Sequence, residues 1–402
     1  MTRETILQLG AGAWMKWTIR RLRELGYRVF AADRNPNAPA FAEADGHAPV
    51  DIVDAAAIEA YAREIGADLV MVVNGAGVIS GATASARLGL PALPIDVAVR
   101  SQDKGRCRDA WKAAGLCQPR YRVVGSVDMI SAAADDVGYP VVVKPTRRWG
   151  SRGVSLLPDR SHVDEAIALL RAEADPAGGT EYIVEEQLFG TELSVEGLVQ
   201  DGRVQILAGG DKVMQDHPTY RVGMVLSYPA AITTEQEAAV ERTIAAAIEA
   251  MGIQNGAFDA ECMLSENSVS LIEINPRPGG GHIFGQIVEA VSGVCMPEAY
   301  VKILLGQPVD ITPKHRRGVC YEFFTAPRGL FRGVAGLEEA KQLPGVLDMA
   351  FEMKPGTVVG PIAADADRPG FVVAAGDSRE DAIQNAKHAI ASLRFDVTPG
   401  GR

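Results

Sequence analysis

The chain has 402 residues, 47% hydrophobic and 23% charged, an ordinary balance for a globular protein of two or three domains. A net charge of −11 excludes a general nucleic-acid binder, which needs clustered Lys and Arg against phosphate, although a local basic pocket is compatible with it. Five scattered cysteines without a CxxC pair, no stretch near the ~20 apolar residues of a bilayer span, and a start that runs straight into a strand give the expectation of a soluble cytoplasmic protein with reduced thiols, no membrane contact and no secretory leader.

Residues 1–95 read as strands alternating with helices. "TILQLG" is a short apolar run, "WMKWTIRRLRELGY" a helix stopped by Gly26, "RVFAAD" a second strand, "AAAIEAYAREIGA" a helix and "DLVMVV" a third strand. Strand–helix alternation at this spacing predicts a parallel sheet with helices on its faces. The two prolines of "GLPALPID" place a boundary near residue 95.

The middle of the chain, 96–305, reads differently. A helix "KGRCRDAWKAAGL" precedes short strands "RYRVV", "YPVVVKP", "GVSLLP" and "YIVEEQL", with a helix from Ser161, a capping candidate, among the last of them. Next come a hairpin turned at Asp201-Gly202, a helix "TEQEAAVERTIAAAIEAMG" and a second hairpin over 256–275. Residues 306–402 are again mixed and end in the helix "SREDAIQNAKHAIASLRF", with "DVTPGGR" expected to fray.

Two stretches carry chemistry. "LQLGAGAWM", with Asp33 closing the next strand, is half of a dinucleotide fingerprint: Gly10 and Gly12 fit, but Met15 stands at the third glycine. NAD binding and a tight strand-to-helix turn both explain it. "GAFDAECMLSENSVSLIEINPRPGGG" is more informative. Glu273, Asn275 and Arg277 alternate along one strand and share a face, leaving Ile272, Ile274 and Pro276 for the core. A turn centred on Asn267 sets Glu261 opposite Glu273 and Asp259 opposite Asn275. Like charges facing across a sheet destabilise it unless a cation lies between them, and oxygen-only donors on rigid strands suit Mg²⁺.

A magnesium site beside a nucleotide requires phosphate-neutralising cations. Lys144 ends a nearly all-apolar strand, Lys104 begins a helix, and Lys212 lies in the strand "GGDKV". Gly150, Ser151 and Gly153 in "RRWGSRGVSLL" suit a lid over phosphates, although no Walker A sequence occurs. Glu185 and Glu186 end a strand whose backbone can meet an adenine edge, and Glu192 lies within reach of a ribose.

Taken in order, these pieces resemble the ATP-grasp superfamily over nearly the whole chain. The resemblance implies an α/β preATP-grasp (Rossmann-like) domain at 1–95, an α+β ATP-grasp fold at 96–305 with a lid at about 120–190, and a small α+β C-terminal domain at 306–402. It implies that Lys104, Lys144, Ser151 and Gly153 contact ATP phosphates and that Glu185 with the Glu186–Leu188 backbone holds adenine. Glu192 would then bind ribose, and Glu261, Glu273 and Asn275 would hold Mg²⁺, or Mn²⁺ in its place. Arg277, with Lys212, would stabilise an acyl-phosphate. "NPRPGGGHI" and the C-terminal segment look most like the L-amino-acid ligase group, which joins a small carboxylate to an amine; a carboxylase or a glycinamide-type purine-pathway enzyme is the closest rival. Arg221 and Val222 stand where many such ligases carry an acid, which leaves the second substrate open. A homodimer is the expected assembly.

Overall fold

The computed structural model describes residues 3–148, 153–172, 180–217, 222–266 and 268–399. At the N-terminus four parallel strands lie in the order Gly46–Ala48, Arg28–Ala32, Thr5–Leu9, Leu69–Val72. Thr5–Leu9 is buried along its whole length, as a parallel strand covered on both faces must be. Helices Met15–Glu24 and Ala55–Ile65 fall where the apolar periodicity predicts them, the latter ending on Gly66 in the left-handed region. Helix Val78–Leu88 was not foreseen, because "VISGATASARL" is too rich in small residues to show an apolar stripe. Those small residues let it ride close to the sheet: a Cβ on Gly81 would lie 2.6 Å from Val72 and 3.0 Å from Leu9. Trp14, at the end of the glycine turn, donates its indole N–H to Glu352 at 3.4 Å, 338 residues away.

A second, antiparallel sheet has the order Tyr121–Val124, Tyr182–Glu186, Val141–Pro145, Ser155–Leu157. It encloses its own core with helices Ile130–Val137 and Val163–Ala172. The cap expected at Ser161 is instead Asp159, whose carboxylate accepts the Ser161 N–H at 2.8 Å and starts a short 3-10 turn leading into the helix.

The largest sheet has eight strands, in the order Val269–Asn275, Gly256–Leu264, Thr191–Gln200, Arg203–Met214, Gly223–Tyr228, Gly318–Phe323, Gly370–Gly376, Val346–Phe351. The expected turn at Asp201-Gly202 is present, both residues having positive φ (51° and 77°), the conformation of a two-residue hairpin. Helix Thr234–Met251, opened by a Thr233–Gln236 capping box, and helix Lys104–Ala113 cover one face of the central strands. The last three strands come from beyond residue 305, so one hydrogen-bonded sheet continues across that position. Arg379, first residue of helix Arg379–Ala391, fastens this extension to the older strands by donating to the carbonyls of Ser227 (2.7 Å) and Pro229 (2.9 Å) and to Asp211 (2.7 Å).

The tail corrects the sequence reading. Arg394–Thr398 is a strand, paired antiparallel with Gly329–Ala335 in a three-stranded sheet, so the segment expected to fray begins as ordered structure. All five cysteines are unpaired, and among the described residues no helix is long and apolar enough to cross a membrane.

Candidate active site

The 256–275 hairpin builds the centre of the site. Glu261 faces Glu273 and Asp259 faces Asn275, the pairing read from the sequence. Nearer the turn, however, Cys262 faces Leu271 and Leu264 faces Val269, so Ile272 is an extra residue in a β-bulge. The bulge turns Leu271 and Ile274 into the core and leaves Ile272 half-buried, which corrects the expectation that Ile272 would join Ile274 there. Arg108, almost wholly buried, donates to the carbonyls of Leu271 (3.1 Å) and Ile272 (2.9 Å) at this kink.

Each of the three lysines ends on a carboxylate. Lys104 Nζ lies 3.3 Å from Glu273 Oε1 and donates to the Arg148 carbonyl at 2.7 Å. Lys212 Nζ donates to Glu192 Oε1 at 2.8 Å and to Glu261 Oε1 at 2.5 Å. Lys144 Nζ is 2.6 Å from Glu185 Oε2, whose other oxygen accepts Arg108 Nε–H at 2.7 Å. Burial alone would raise the Glu185 carboxyl, but Arg108 and Lys144 hold it down at about 2. Burial pushes Glu261 up, Lys212 opposes, and the nearby Glu192, Asp259 and Glu273 leave it at about 7. Burial works the same way on Glu273, where Lys104, Lys144 and Arg277 prevail and keep it below the usual range.

Among the described residues no three His, Cys, Asp or Glu side chains converge into a ready metal cage. The donors at hand are two opposed carboxylates and an amide. Asn275 Nδ2 donates to Asp259 Oδ2 at 3.3 Å, while its Oδ1 is buried and has no hydrogen-bond partner. An orphaned acceptor beside two acids that repel each other fits a hard cation that takes few protein oxygens and keeps water and phosphate for the rest. Arg277 Nη1 lies 3.4 Å from Asp259 Oδ2 and donates to the Pro278 carbonyl at 2.7 Å, leaving Nε unpartnered.

The remaining expected residues lie around this centre. Glu186 pairs with Arg120 on the exposed side (3.1 Å), and the amides of Glu186 and Gln187 go to the carbonyls of Arg120 and Pro140, with Leu188 next in the chain. Gly153 has φ of 70°. Ser151, Gly150 and Arg221 lie outside the described residues, as does the turn residue Asn267. On the described flank of the lid stretch, Arg147 Nε donates to Asp103 at 3.0 Å. At the N-terminal glycine turn, Asp33 accepts the Ala11 and Asn35 amides at 3.0 and 2.9 Å, so the acid that a dinucleotide reading aims at a ribose instead closes the turn. Arg108 and Asp103 escaped the sequence reading, because one sits within and the other caps a helix whose basic and acidic residues look solvated.

Residues 137–286 match the family model for the ATP-grasp domain, and residues 322–398 match that for L-amino acid ligase C-terminal domain 2. The formate-dependent phosphoribosylglycinamide formyltransferase of Thioalkalivibrio sulfidiphilus is 28% identical over 98% of this chain and 96% of that protein. The alanine–anticapsin ligase of Bacillus subtilis is 26% identical over 74% of this chain and 66% of its own length. An uncharacterised protein of Sinorhizobium fredii, y4rH, is 27% identical over 74% of this chain, which spans only 61% of that relative. The crystal structure of L-amino acid ligase from Bacillus licheniformis shares the fold, with a TM-score of 0.85 over 99% of this chain and 100% of that one at 22% identity. The chain therefore carries an ATP-grasp domain, followed by the second C-terminal domain of the L-amino acid ligases, on the fold of an L-amino acid ligase.

Proposed function

We propose that this protein is a cytoplasmic ATP-dependent ligase that joins a small carboxylic acid to an amine through an acyl-phosphate, releasing ADP and phosphate. The observation that carries the reading is Glu261 opposed to Glu273, with Lys212 and Lys104 against them and Arg277 on the same strand end, in a chain that ends in an L-amino acid ligase C-terminal domain. A substrate carboxylate oxygen attacks the γ-phosphorus and the bond to ADP breaks. Lys104, Lys144 and Lys212 neutralise the phosphates, Lys144 being already aimed by Glu185 and Arg108. The amine then attacks the acyl carbon, the oxyanion collapses, and phosphate departs as HPO4²⁻, carrying the proton that the nitrogen sheds. Arg277, with an unsatisfied guanidinium edge, grips the acyl-phosphate oxygens. Bound magnesium would add charge neutralisation between the phosphates, with Glu261, Glu273 and Asn275 as its holders. Glu185 with the Glu186–Leu188 backbone is the candidate adenine edge, and Glu192 the ribose contact. The corresponding units are 1–95, 96–305 and 306–402.

The full-length similarity to a formate-dependent formyltransferase favours one second reading, in which the acid is formate and the amine a glycinamide ribotide. A single screen separates the two: phosphate release from ATP with pairs of amino acids and small carboxylic acids, with formate plus phosphoribosylglycinamide and bicarbonate as further arms, each product identified by mass. An amide between an amino acid and a second amine is expected. Turnover only with formate or bicarbonate would replace the first reading.

A further inference from the structure

Glu196 is a carboxylic acid sealed inside the large sheet, used by none of the steps above. It sits mid-strand in Thr191–Gln200, in register with Asp259, which is in turn in register with Asn275. Its exposure is 0%. Glu196 Oε2 accepts the Gly279 N–H at 3.0 Å, and its Oε1 is buried without a hydrogen-bond partner. A Cβ on Gly279 would stand 2.4 Å from that Oε1, so glycine is what allows the backbone to press onto the acid. Gly279 is two residues beyond Arg277, and Asp259 is the acid that Arg277 touches. Glu196 thus reaches Arg277 by two routes, through the backbone of 277–279 and through Asp259.

We propose that Glu196 is a positioning residue for Arg277 and the Gly279–Gly281 backbone. It anchors the loop from below through the Gly279 N–H and braces Asp259, so that the guanidinium edge and the Gly280 and Gly281 amides meet the acyl-phosphate in a fixed geometry. The inference rests on the ligase reading of Arg277. Burial and the neighbouring Asp259 hold the Glu196 carboxyl well above its usual range, which suits a neutral acid that lies beside Asp259 without repelling it.

The test uses the full-length protein and two independent readouts, kinetics of phosphate release with the substrate pair from the screen and hydrogen exchange of the peptide 276–284. For Glu196→Ala we expect kcat to fall by about 10- to 100-fold with KM for ATP nearly constant, as for a misplaced catalytic group. Exchange in 276–284 should quicken by roughly tenfold, as for loss of one anchoring hydrogen bond. Glu196→Gln keeps the acceptor for Gly279 and an N–H for Asp259, and should hold kcat within about threefold of the parent. Gly279→Ala keeps the acid but forces the loop off it, so it serves if Glu196→Ala misfolds; it should copy both defects, and the double variant should be no worse than either single change. Normal kcat and normal exchange in a folded Glu196→Ala or Gly279→Ala protein would overturn the proposal. If the parent releases no phosphate with any acid–amine pair, the ligase reading falls, and the exchange measurement alone decides whether Glu196 anchors the loop.

Discussion

Glu185 has both oxygens committed, to Arg108 and to Lys144, and is almost wholly buried. Its folded-state value of about 2 lies below the ordinary 4.5, so its contribution is complete above about pH 4.5 and is lost as the pH falls toward 2. Glu185→Gln should therefore be less stable than the parent at pH 7 by on the order of 3 kcal/mol, and the difference should shrink steadily below pH 4.5. Urea denaturation of both proteins across that range checks this; a gap independent of pH would contradict it. Arg277→Lys probes the neighbouring role. It should leave stability and KM for ATP nearly unchanged and remove about 2–4 kcal/mol of transition-state stabilisation, because an ammonium cannot grip two oxygens in one plane. Early unfolding with near-normal specific activity would make Arg277 a structural partner of Asp259 instead. At this scale the sequence was legible where a polar residue interrupts an apolar strand. Lys144 in "VVVKP" was found that way, and Glu196 in "SVEGLV" carries the same signature. Arg108, inside a helix crowded with charges, carries none.

At the scale of elements, the carboxylate hairpin shows why pairing can be read from sequence while its irregularities cannot. Glu261 and Glu273 announce their opposition because two like charges need a shared reason to face one another. The extra residue at Ile272 has no such mark, since Leu271, Ile272 and Ile274 are equally apolar, and it is the register of the folded hairpin that shows which one is expelled, with Arg108 holding the carbonyls on the kink. Helix Val78–Leu88 was missed for a related reason, its small residues being chosen for closeness to the sheet. The join between helix Arg379–Ala391 and the strands at 211–229 invites a direct measurement. Arg379→Met removes three hydrogen bonds and leaves Asp211, among the described residues, with the Ala231 N–H at 3.0 Å. A loss of about 2–4 kcal/mol and a lower Tm are expected; an unchanged Tm would mean the helix is held by its apolar face alone.

For the molecule as a whole, the continuous eight-stranded sheet sets a rule about how the chain can be cut. The N-terminal sheet was legible because strand and helix alternate there, whereas strands at 318–323, 346–351 and 370–376 join a sheet begun more than a hundred residues earlier, a long-range pairing that local pattern cannot reveal. A fragment ending at residue 305 would leave Gly223–Tyr228 as an open edge and Val225 without the C-terminal cluster it packs against. We expect that fragment to aggregate, whereas the full chain unfolds with its large sheet as one cooperative unit. A monodisperse fragment with a sharp thermal transition would show that the boundary is also a folding boundary.

The Trp14–Glu352 contact gives the protein an optical signal of its own. Trp14 is 42% exposed and lies where the first sheet meets the end of the strand Val346–Phe351, while Trp111 is at 0% exposure beneath Arg108. An indole half in water emits further to the red than one sealed in a core, and a neighbouring carboxylate shifts it again. Because Trp17 and Trp149 emit as well, the Trp14 contribution is the difference between the parent spectrum and that of Trp14→Phe. Whatever a substrate does to the spacing between the two ends of the chain will be written in the colour of that difference.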